Sequence, residues 1–549
     1  MKKRLLAVLC ILAMVFTTMA GCTSKDKALT ENIIDDNYRT FYEVFVYSFF
    51  DSNGDGIGDL QGLTQKLDYI YDNDPSTSTD LGCNGIWLMP IMPSTTYHKY
   101  DVIDYMDIDT QYGSMADFDA FMAECQARDI HVLIDLVINH TSTEHEWFQQ
   151  ACDYLRTIGN AAPDEADCKY FGYYNFSTTK ASGVWYQVPG TDWYYEAPFW
   201  SGMPDLNLYN ENVRAEIEAI TQFWFDKGVA GFRLDAAKEY QSGANQANVE
   251  ILTWFNDMVK AQKEDAYIVA EVWFNDGSYD EYYASGIDSC FDFQFASQDG
   301  VIAQVLNGKA DTGAVGYAKK CEKIQEQFGQ YNPNYINAPF YANHDMGRSA
   351  GYYAGENSIA KTKMGHAMNL LMSGSAFLYY GEELGMKGAG KDENKRLGMM
   401  WYEDTNAEGM CDGPKDADSV KQKFDSLELQ VQDETSVYNF VKQVLTVRNA
   451  FPAIARGQVE YIEEASNVQL GVMRKTYEKE EVILVFNLSA EDSVLDCAAL
   501  ADTLTIGGKS LSKVDPKATL YTGETLMSVE GDNITVPAYS VLVYEITNK

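Results

Sequence analysis

Gly231-Phe232-Arg233-Leu234-Asp235 alternates apolar residues with an arginine and an aspartate. On a β-strand, residues two apart share a face, so Arg233 and Asp235 point the same way. The segment follows one helical pattern, Asn212–Asp226, and precedes another, Val249–Lys263, each with apolar residues at three-to-four spacing. Working outward, the same alternation extends from Phe41 to Tyr380. The strand candidates are Phe41–Phe49, Gly85–Met89, His131–Ile138, Gly231–Asp235, Ile268–Val272, Asp288–Phe293, Asn337–Asn343 and Ser375–Tyr380. Further helical stretches are Ala116–Arg128 and Val437–Asn449. Eight strands with helix-bearing connections predict an α/β fold, a closed (β/α)8 barrel of the TIM type. A doubly wound open sheet needs fewer strands and a Gly-rich phosphate loop, which this chain lacks.

The connection after the third strand breaks the alternation. From Thr141 to Asn207 the chain is rich in Tyr, Trp, Gly, Ser and Asn, without a clear amphipathic helix. Structureless loops of that length are uncommon in compact domains, so an inserted domain is expected there. Beyond Pro452 the pattern becomes alternating strands at Val459–Glu463, Val468–Thr476, Glu481–Asn487 and Val536–Ile546. These predict an all-β, sandwich-like C-terminal domain. The expected division is a barrel over 36–140 and 208–452, an inserted domain over 141–207, and a C-terminal domain over 453–549.

The N-terminus reads as an address. Met1-Lys2-Lys3-Arg4 precedes an apolar run from Leu5 to Phe16. As a helix that run spans about 18 Å, short of a bilayer core of about 30 Å, which fits an export signal and not an anchor. It closes on Met19-Ala20-Gly21-Cys22, which resembles a bacterial lipobox, where cleavage falls before a Cys that then carries lipid. Residues 1–21 are therefore expected to be a signal peptide and 22–35 a polar tether lipidated at Cys22. The expected location is the extracellular face of a bacterial membrane, or otherwise secretion, with no other membrane contact. Lys plus Arg number 42 against 81 Asp plus Glu, a net charge of −39 that repels phosphate backbones and excludes nucleic acid as a partner. A monomer is expected. The 37 Tyr, 26 Phe and 9 Trp include flat faces suited to sugar rings, though most are core packing. Beyond Cys10 and Cys22 the cysteines are scattered without a CxxC pair, which argues against zinc and iron–sulfur sites. Cys152 and Cys168 could bridge, or remain free thiols.

Functional residues of such barrels sit at the C-terminal ends of the strands. Strand three ends Asp135-Leu-Val-Ile-Asn139-His140, strand four Arg233-Leu-Asp235, strand five Ala270-Glu271-Val-Trp273, and strand seven Tyr341-Ala-Asn343-His344-Asp345. Three carboxylates, Asp235, Glu271 and Asp345, thus arrive at one mouth from three strands. Such groups cleave glycosidic bonds: one attacks the anomeric carbon, another protonates the departing oxygen and later deprotonates water. The nucleophile must be ionised, a state that a neighbouring arginine favours, and the acid must stay protonated, which burial and negative charge favour.

These four segments, in this order, resemble the ordered sequence blocks of the α-amylase family of glycoside hydrolases (family thirteen), and Met203-Pro-Asp-Leu-Asn207 resembles its fifth. The resemblance covers most of 36–549. It implies Asp235 as nucleophile, Glu271 as general acid/base and Asp345 as the third carboxylate, holding sugar hydroxyls. It implies that Arg233 orients Asp235, and that His140 and His344 bind hydroxyls. His98-Lys-Tyr100-Asp101 matches another family segment, implying His98, Tyr100 and Asp101 at the same sugar. The loop Asp51-Ser-Asn53-Gly-Asp55-Gly-Ile57-Gly-Asp59 offers oxygens at alternate positions in a Gly-bent turn, which suits Ca2+ in a structural role. It is not a helix–loop–helix calcium motif, since Gly62 stands where the bidentate Glu belongs. By resemblance the ligands are Asp51, Asn53, Asp55, the Ile57 carbonyl and Asp59. A second family calcium site would use Asn139 and a carbonyl near 239, but Glu239 stands where many such members have His. The fifth block resembles an intermediate type between the oligo-1,6-glucosidase and neopullulanase branches. Ala236 after the nucleophile, where α-1,6-specific members typically carry Val, is similar to α-1,4-acting relatives. Endo-acting, retaining α-1,4-glucan hydrolysis of starch and maltooligosaccharides is the expectation. The alternatives are an α-1,6-glucosidase, neopullulanase or 4-α-glucanotransferase using the same residues, and more remotely a non-catalytic surface glycan binder.

Overall fold

The computed structural model describes residues 32–547, apart from 78, 181–182, 275–276 and 310–312. The expected signal peptide, Cys22 and the tether as far as residue 31 lie outside the described residues. Seven strands form one parallel sheet: β1 (Phe41–Val44), β2 (Gly85–Leu88), β3 (His131–Leu136), β4 (Gly231–Leu234), β5 (Tyr267–Ala270), β6 (Ser289–Cys290) and β8 (Phe377–Tyr379). Their order is β8-β1-β2-β3-β4-β5-β6. The register starts tightly at β4, where a Cβ on Gly231 would lie 1.9 Å from the Tyr267 carbonyl oxygen, so only glycine fits. The expected strand 337–343 is not a regular strand. Segment 336–339 instead serves as β7: the Ile336 amide donates to Asp288 O (2.8 Å) and Asp292 N to Ala338 O (3.0 Å) on one side. On the other, Ser375 N donates to Asn337 O (2.8 Å) and Phe377 N to Pro339 O (2.9 Å), which closes the (β/α)8 barrel. Pro339 has no amide to donate, which limits the ladder.

Most observed strands are shorter than the apolar runs that predicted them. β1 stops at Val44 and a 3-10 turn, Val46–Ser48, follows. The run continues to Phe49 because Phe45, Val46, Ser48 and Phe49 remain buried, with Phe49 edge-on to Trp401 at 5.1 Å; apolar character there marks burial and not extended backbone. The barrel interior is aromatic, with Phe41 stacked on both Tyr267 and Phe377.

The segment after β3 corrects one expectation. It contains a helix, Glu146–Ile158, that buries Phe148, Ala151, Cys152 and Leu155 on one face and is capped by His145, whose ring accepts from Trp147 N at 3.1 Å. A small antiparallel sheet follows, Phe176–Ser177, Tyr194–Glu196 and Trp185–Gln187. The segment rejoins the barrel where Leu206 N donates to Asn139 O at 2.8 Å. The C-terminal region holds a five-stranded antiparallel sheet, ordered Gln458–Tyr461, Leu470–Tyr477, Glu480–Asn487, Ser540–Thr547 and Ala518–Tyr521. A three-stranded sheet, Ser493–Asp496, Asn533–Val536 and Ser528–Glu530, accompanies it over a second apolar core. The expected strand Val536–Ile546 is split between the two, because Pro537 and Tyr539 (φ +46°) turn the chain. Arg448, fully buried on helix Val437–Ala450, ties this end together through the Leu370 and Met372 carbonyls at 2.8 and 2.7 Å. All eight cysteines among the described residues are free thiols.

Candidate active site

The strand ends open into a cleft of about 530 Å³ lined by His98, Tyr100, His140, Asp235, Glu271 and Asp345 among others. Beneath it lies Arg233, wholly buried on β4. Its Nη1 donates to Asp235 Oδ1 at 2.7 Å and its Nη2 to Glu271 Oε2 at 2.9 Å, so one planar fork holds both carboxylates. Nη1 also meets both oxygens of Asp135 on β3, at 2.8 and 2.9 Å. Three carboxylates face one guanidinium. Burial pushes Glu271 up to about 7, with Asp235 and Asp345 adding to it against Arg233; burial raises Asp135 as well. The Ala236 amide donates to Glu271 Oε2 at 3.0 Å, and Ala236 itself sits at φ +46°. Left-handed backbone at a non-glycine residue is strained, more so for a β-branched side chain.

Asp345 takes the opposite treatment. Desolvation would raise it, but His344 at 3.0 Å and Arg396 at 2.9 Å hold it well below the usual carboxylate range. His98 is lowered to about 4 by burial, then by Arg396, and is neutral at pH 7. Its Nδ1 accepts from Tyr100 N at 3.2 Å, leaving an Nε2 proton to offer a ligand.

Three expected sugar ligands offer no free polar atom to the cleft. Asp101 is wholly buried; it accepts from the hydroxyls of Ser94, Thr95 and Thr96 and from Thr95 N at 3.1 Å, and so anchors its loop. His140 lines the cleft, but Nε2 donates to Tyr100 O at 3.1 Å and Nδ1 faces the Asn139 amide at 3.3 Å, while Phe199 packs on its ring at 5.3 Å. His344 is fully buried between Glu43 and Asp345. The cleft also has walls that were not expected: Phe199, Met203, Lys238, Asp392, Lys395 and Arg396. Arg396 is 3% exposed and reaches Asp345, Tyr97 Oη at 2.9 Å, and Asp392. The one signal for Phe199 was an aromatic residue among turn formers; Asp392-Glu-Asn-Lys-Arg396 carried none, since such a run resembles a solvated face.

The proposed calcium loop lies apart from the cleft. Asp51 accepts from the amides of Asn53, Gly54 and Gly56 at 3.0, 2.7 and 2.7 Å, Asn53 from Asp55 N, and Asp55 from Ile57 N. Asp59 caps the next helix through Gly62 N at 2.7 Å. The donors are the hard oxygens that Ca2+ takes. Their side chains face backbone amides, and among the described residues no three His, Cys, Asp or Glu converge at metal-binding geometry. At the second family position, Asn139 Nδ2 donates to Asp205 at 3.1 Å and its Oδ1 has no partner; burial, then Glu196 and Glu239, holds Asp205 well above the usual range.

Residues 43–457 match the family description "Alpha amylase, catalytic domain". The chain belongs to the α-amylase family. It is thus a glycoside hydrolase of that family, and its Asp235–Arg233–Glu271 cluster stands at the strand ends where the barrel places catalytic groups. The α-amylase-family chain is 36% identical over 452 residues to Alpha-amylase 3 of Dictyoglomus thermophilum, covering 82% of this chain and 84% of that protein. It is 27% identical to a Glucan 1,6-alpha-glucosidase of Streptococcus pneumoniae, over 87% of this chain and 96% of the other. Among solved structures, Eubacterium rectale Amy13B is 49% identical with a TM-score of 0.88, covering 96% of this chain and 100% of that one.

Proposed function

We propose that this enzyme hydrolyses α-1,4-glucosidic bonds of starch and maltooligosaccharides, endo-acting and with retained configuration. The observation that carries this reading is the shared fork: Arg233 holds Asp235 at 2.7 Å and Glu271 at 2.9 Å, and burial pushes Glu271 up to about 7, where it can keep a proton to give. One carboxylate is set as nucleophile and its neighbour as acid, the pairing that double displacement needs. Asp235 attacks the anomeric carbon to form a glycosyl ester, while Glu271 passes its proton to the departing oxygen. Glu271 then takes a proton from water, whose oxygen displaces Asp235 and regenerates both groups. Asp345, held anionic, accepts hydrogen bonds from ring hydroxyls, His98 donates one, and the Tyr100 ring stacks on the same sugar.

Small Ala236 and the 36% identity to a protein named an α-amylase support the α-1,4 linkage. The likeness to a Glucan 1,6-alpha-glucosidase favours the second reading, α-1,6 cleavage by the same residues. Proton NMR of maltoheptaose digestion separates them. Short α-anomeric products appearing before mutarotation are expected. Initial β-anomers would overturn double displacement, and inertness to maltoheptaose with cleavage of panose or isomaltose would make the linkage α-1,6. Asp235→Asn should bind sugar without turnover. A monomer with structural Ca2+ in the Asp51–Asp59 loop, lipid-anchored at Cys22 on the outer face of a bacterial membrane, completes the proposal. Loss of metabolic palmitate labelling in Cys22→Ala tests the anchor.

A further inference from the structure

β1 reads Phe41-Tyr42-Glu43-Val44, and all four residues are buried. A carboxylate inside an apolar barrel strand is costly unless a partner meets it. Glu43 Oε1 lies 2.6 Å from Nδ1 of His344, which is itself fully buried. The other ring nitrogen, Nε2, lies 3.0 Å from Asp345 Oδ2 and 2.8 Å from Tyr100 Oη. Tyr100 donates its own proton to Asp135 at 3.0 Å, so its oxygen is left to accept. Burial raises Glu43, against which His344 and Arg233 draw it down. A neutral imidazole has one N–H and one lone pair; between two ionised carboxylates it satisfies both only by donating from both. We infer that Glu43 is a positioning residue that fixes His344 as an imidazolium and, through it, holds Asp345 ionised and oriented toward the cleft.

The surroundings agree with this role. The groups facing the pair are Trp87 on β2 (edge-on to His344 at 5.7 Å), Tyr100 beyond β2, Asp135 on β3, Arg233 on β4, Tyr379 on β8, and Asp345 with its second partner Arg396. Burial opposes the charged imidazole, yet Asp345 first and Glu43 next hold His344 up to about 9. The inference rests on the reading of Asp345 as the third carboxylate of the site.

The test uses the full enzyme labelled with 15N-histidine. In the unmodified protein both His344 nitrogens should remain protonated through pH 8; a neutral His344 at pH 7 would overturn the inference without any variant. Glu43→Gln keeps the size and one acceptor but removes the charge. Its His344 midpoint should fall by at least about one pH unit. The alkaline limb of kcat/KM, one proton steep where Glu271 titrates, should become two protons steep at correspondingly lower pH. A Glu43 that only fills space would lower the melting temperature and leave both pH features in place, which would refute the proposal. Asp345→Asn separates the two levels. If that variant keeps full kcat/KM, the reading of the site fails; if it is inactive while Glu43→Gln titrates unchanged, only the role of Glu43 fails.

Discussion

Replacing Arg396 with methionine should lower kcat/KM by about 10- to 30-fold while the enzyme remains folded. Methionine retains an apolar stem of similar reach, so the change isolates the guanidinium. What disappears is a charge-assisted hydrogen bond to Asp345 Oδ1 at 2.9 Å, from a side chain that is 3% exposed. Bonds to charged groups contribute about 1.5–3 kcal/mol, and about 1.4 kcal/mol is tenfold in rate. The lower part of that range applies, for two structural reasons. His344 still donates to the other oxygen of Asp345, and Asp392, 42% exposed, keeps the Tyr97 hydroxyl at 2.7 Å and can hydrate. The sign on pH follows from the same contacts. Asp345 is held below the usual range by His344 and Arg396 against its desolvation, so removing one cation raises it. The anion is then lost at higher pH, and the acid limb of kcat/KM moves toward neutrality. Initial rates on maltoheptaose between pH 4 and 8, with a melting curve at pH 7, measure both. A folded Arg396→Met enzyme with kcat/KM within about twofold of the original and an unmoved acid limb would refute the reasoning, and Asp345 would then depend on His344 alone.

Glu271, raised to about 7 mainly by burial, must be protonated to act as acid, so kcat/KM should fall about tenfold per pH unit once pH passes about 7. A flat profile from pH 6 to 9 would remove Glu271 from that role. Chelation with EDTA should lower the melting temperature and added Ca2+ restore it, with rates at 25 °C unchanged; an unaltered melting curve would rule out a structural ion in the Asp51–Asp59 loop. Arg448→Met should destabilise by about 2–4 kcal/mol, because it strands buried carbonyls of Leu370 and Met372, and should leave kcat/KM intact. Denaturant unfolding monitored alongside activity checks both halves.

The parts of the site that were legible in the sequence are those in which a barrel forces polarity to be conspicuous. Along β4 and β5 every neighbour must be apolar to fill the lumen, so Arg233, Asp235 and Glu271 stand out, and the structure brings all three to one fork. Periodicity worked where burial and backbone coincide and failed where they separate: Phe41–Phe49 is buried except at half-buried Tyr47 but extended only to Val44. Segment 336–339 pairs on both sides yet makes no regular strand, because Pro339 interrupts the ladder. Helix Glu146–Ile158 was written in apolar spacing at 148, 151, 152 and 155, but its cap is a histidine and its setting an aromatic loop, so composition masked the period. Which way a polar group turns is harder still. Asp101 and Tyr100 are adjacent, and only the three hydroxyls of Ser94, Thr95 and Thr96 decide that Asp101 faces away from the cleft while the Tyr100 ring lines it. Arg396 lies in a charged run whose burial depends on Tyr97, almost three hundred positions earlier in the chain, and no local pattern encodes that contact. Glu43 differs in kind. A single acid within Phe41–Phe49 contradicts its own strand, and a local contradiction of this sort marks a site whose compensation lies elsewhere in the fold. Here the compensation is His344, in the segment that follows β7, the strand that joins β6 to β8 and closes the barrel. Finding it requires knowing that the chain closes, and the closure is also what gives a buried carboxylate on β1 its cationic partner.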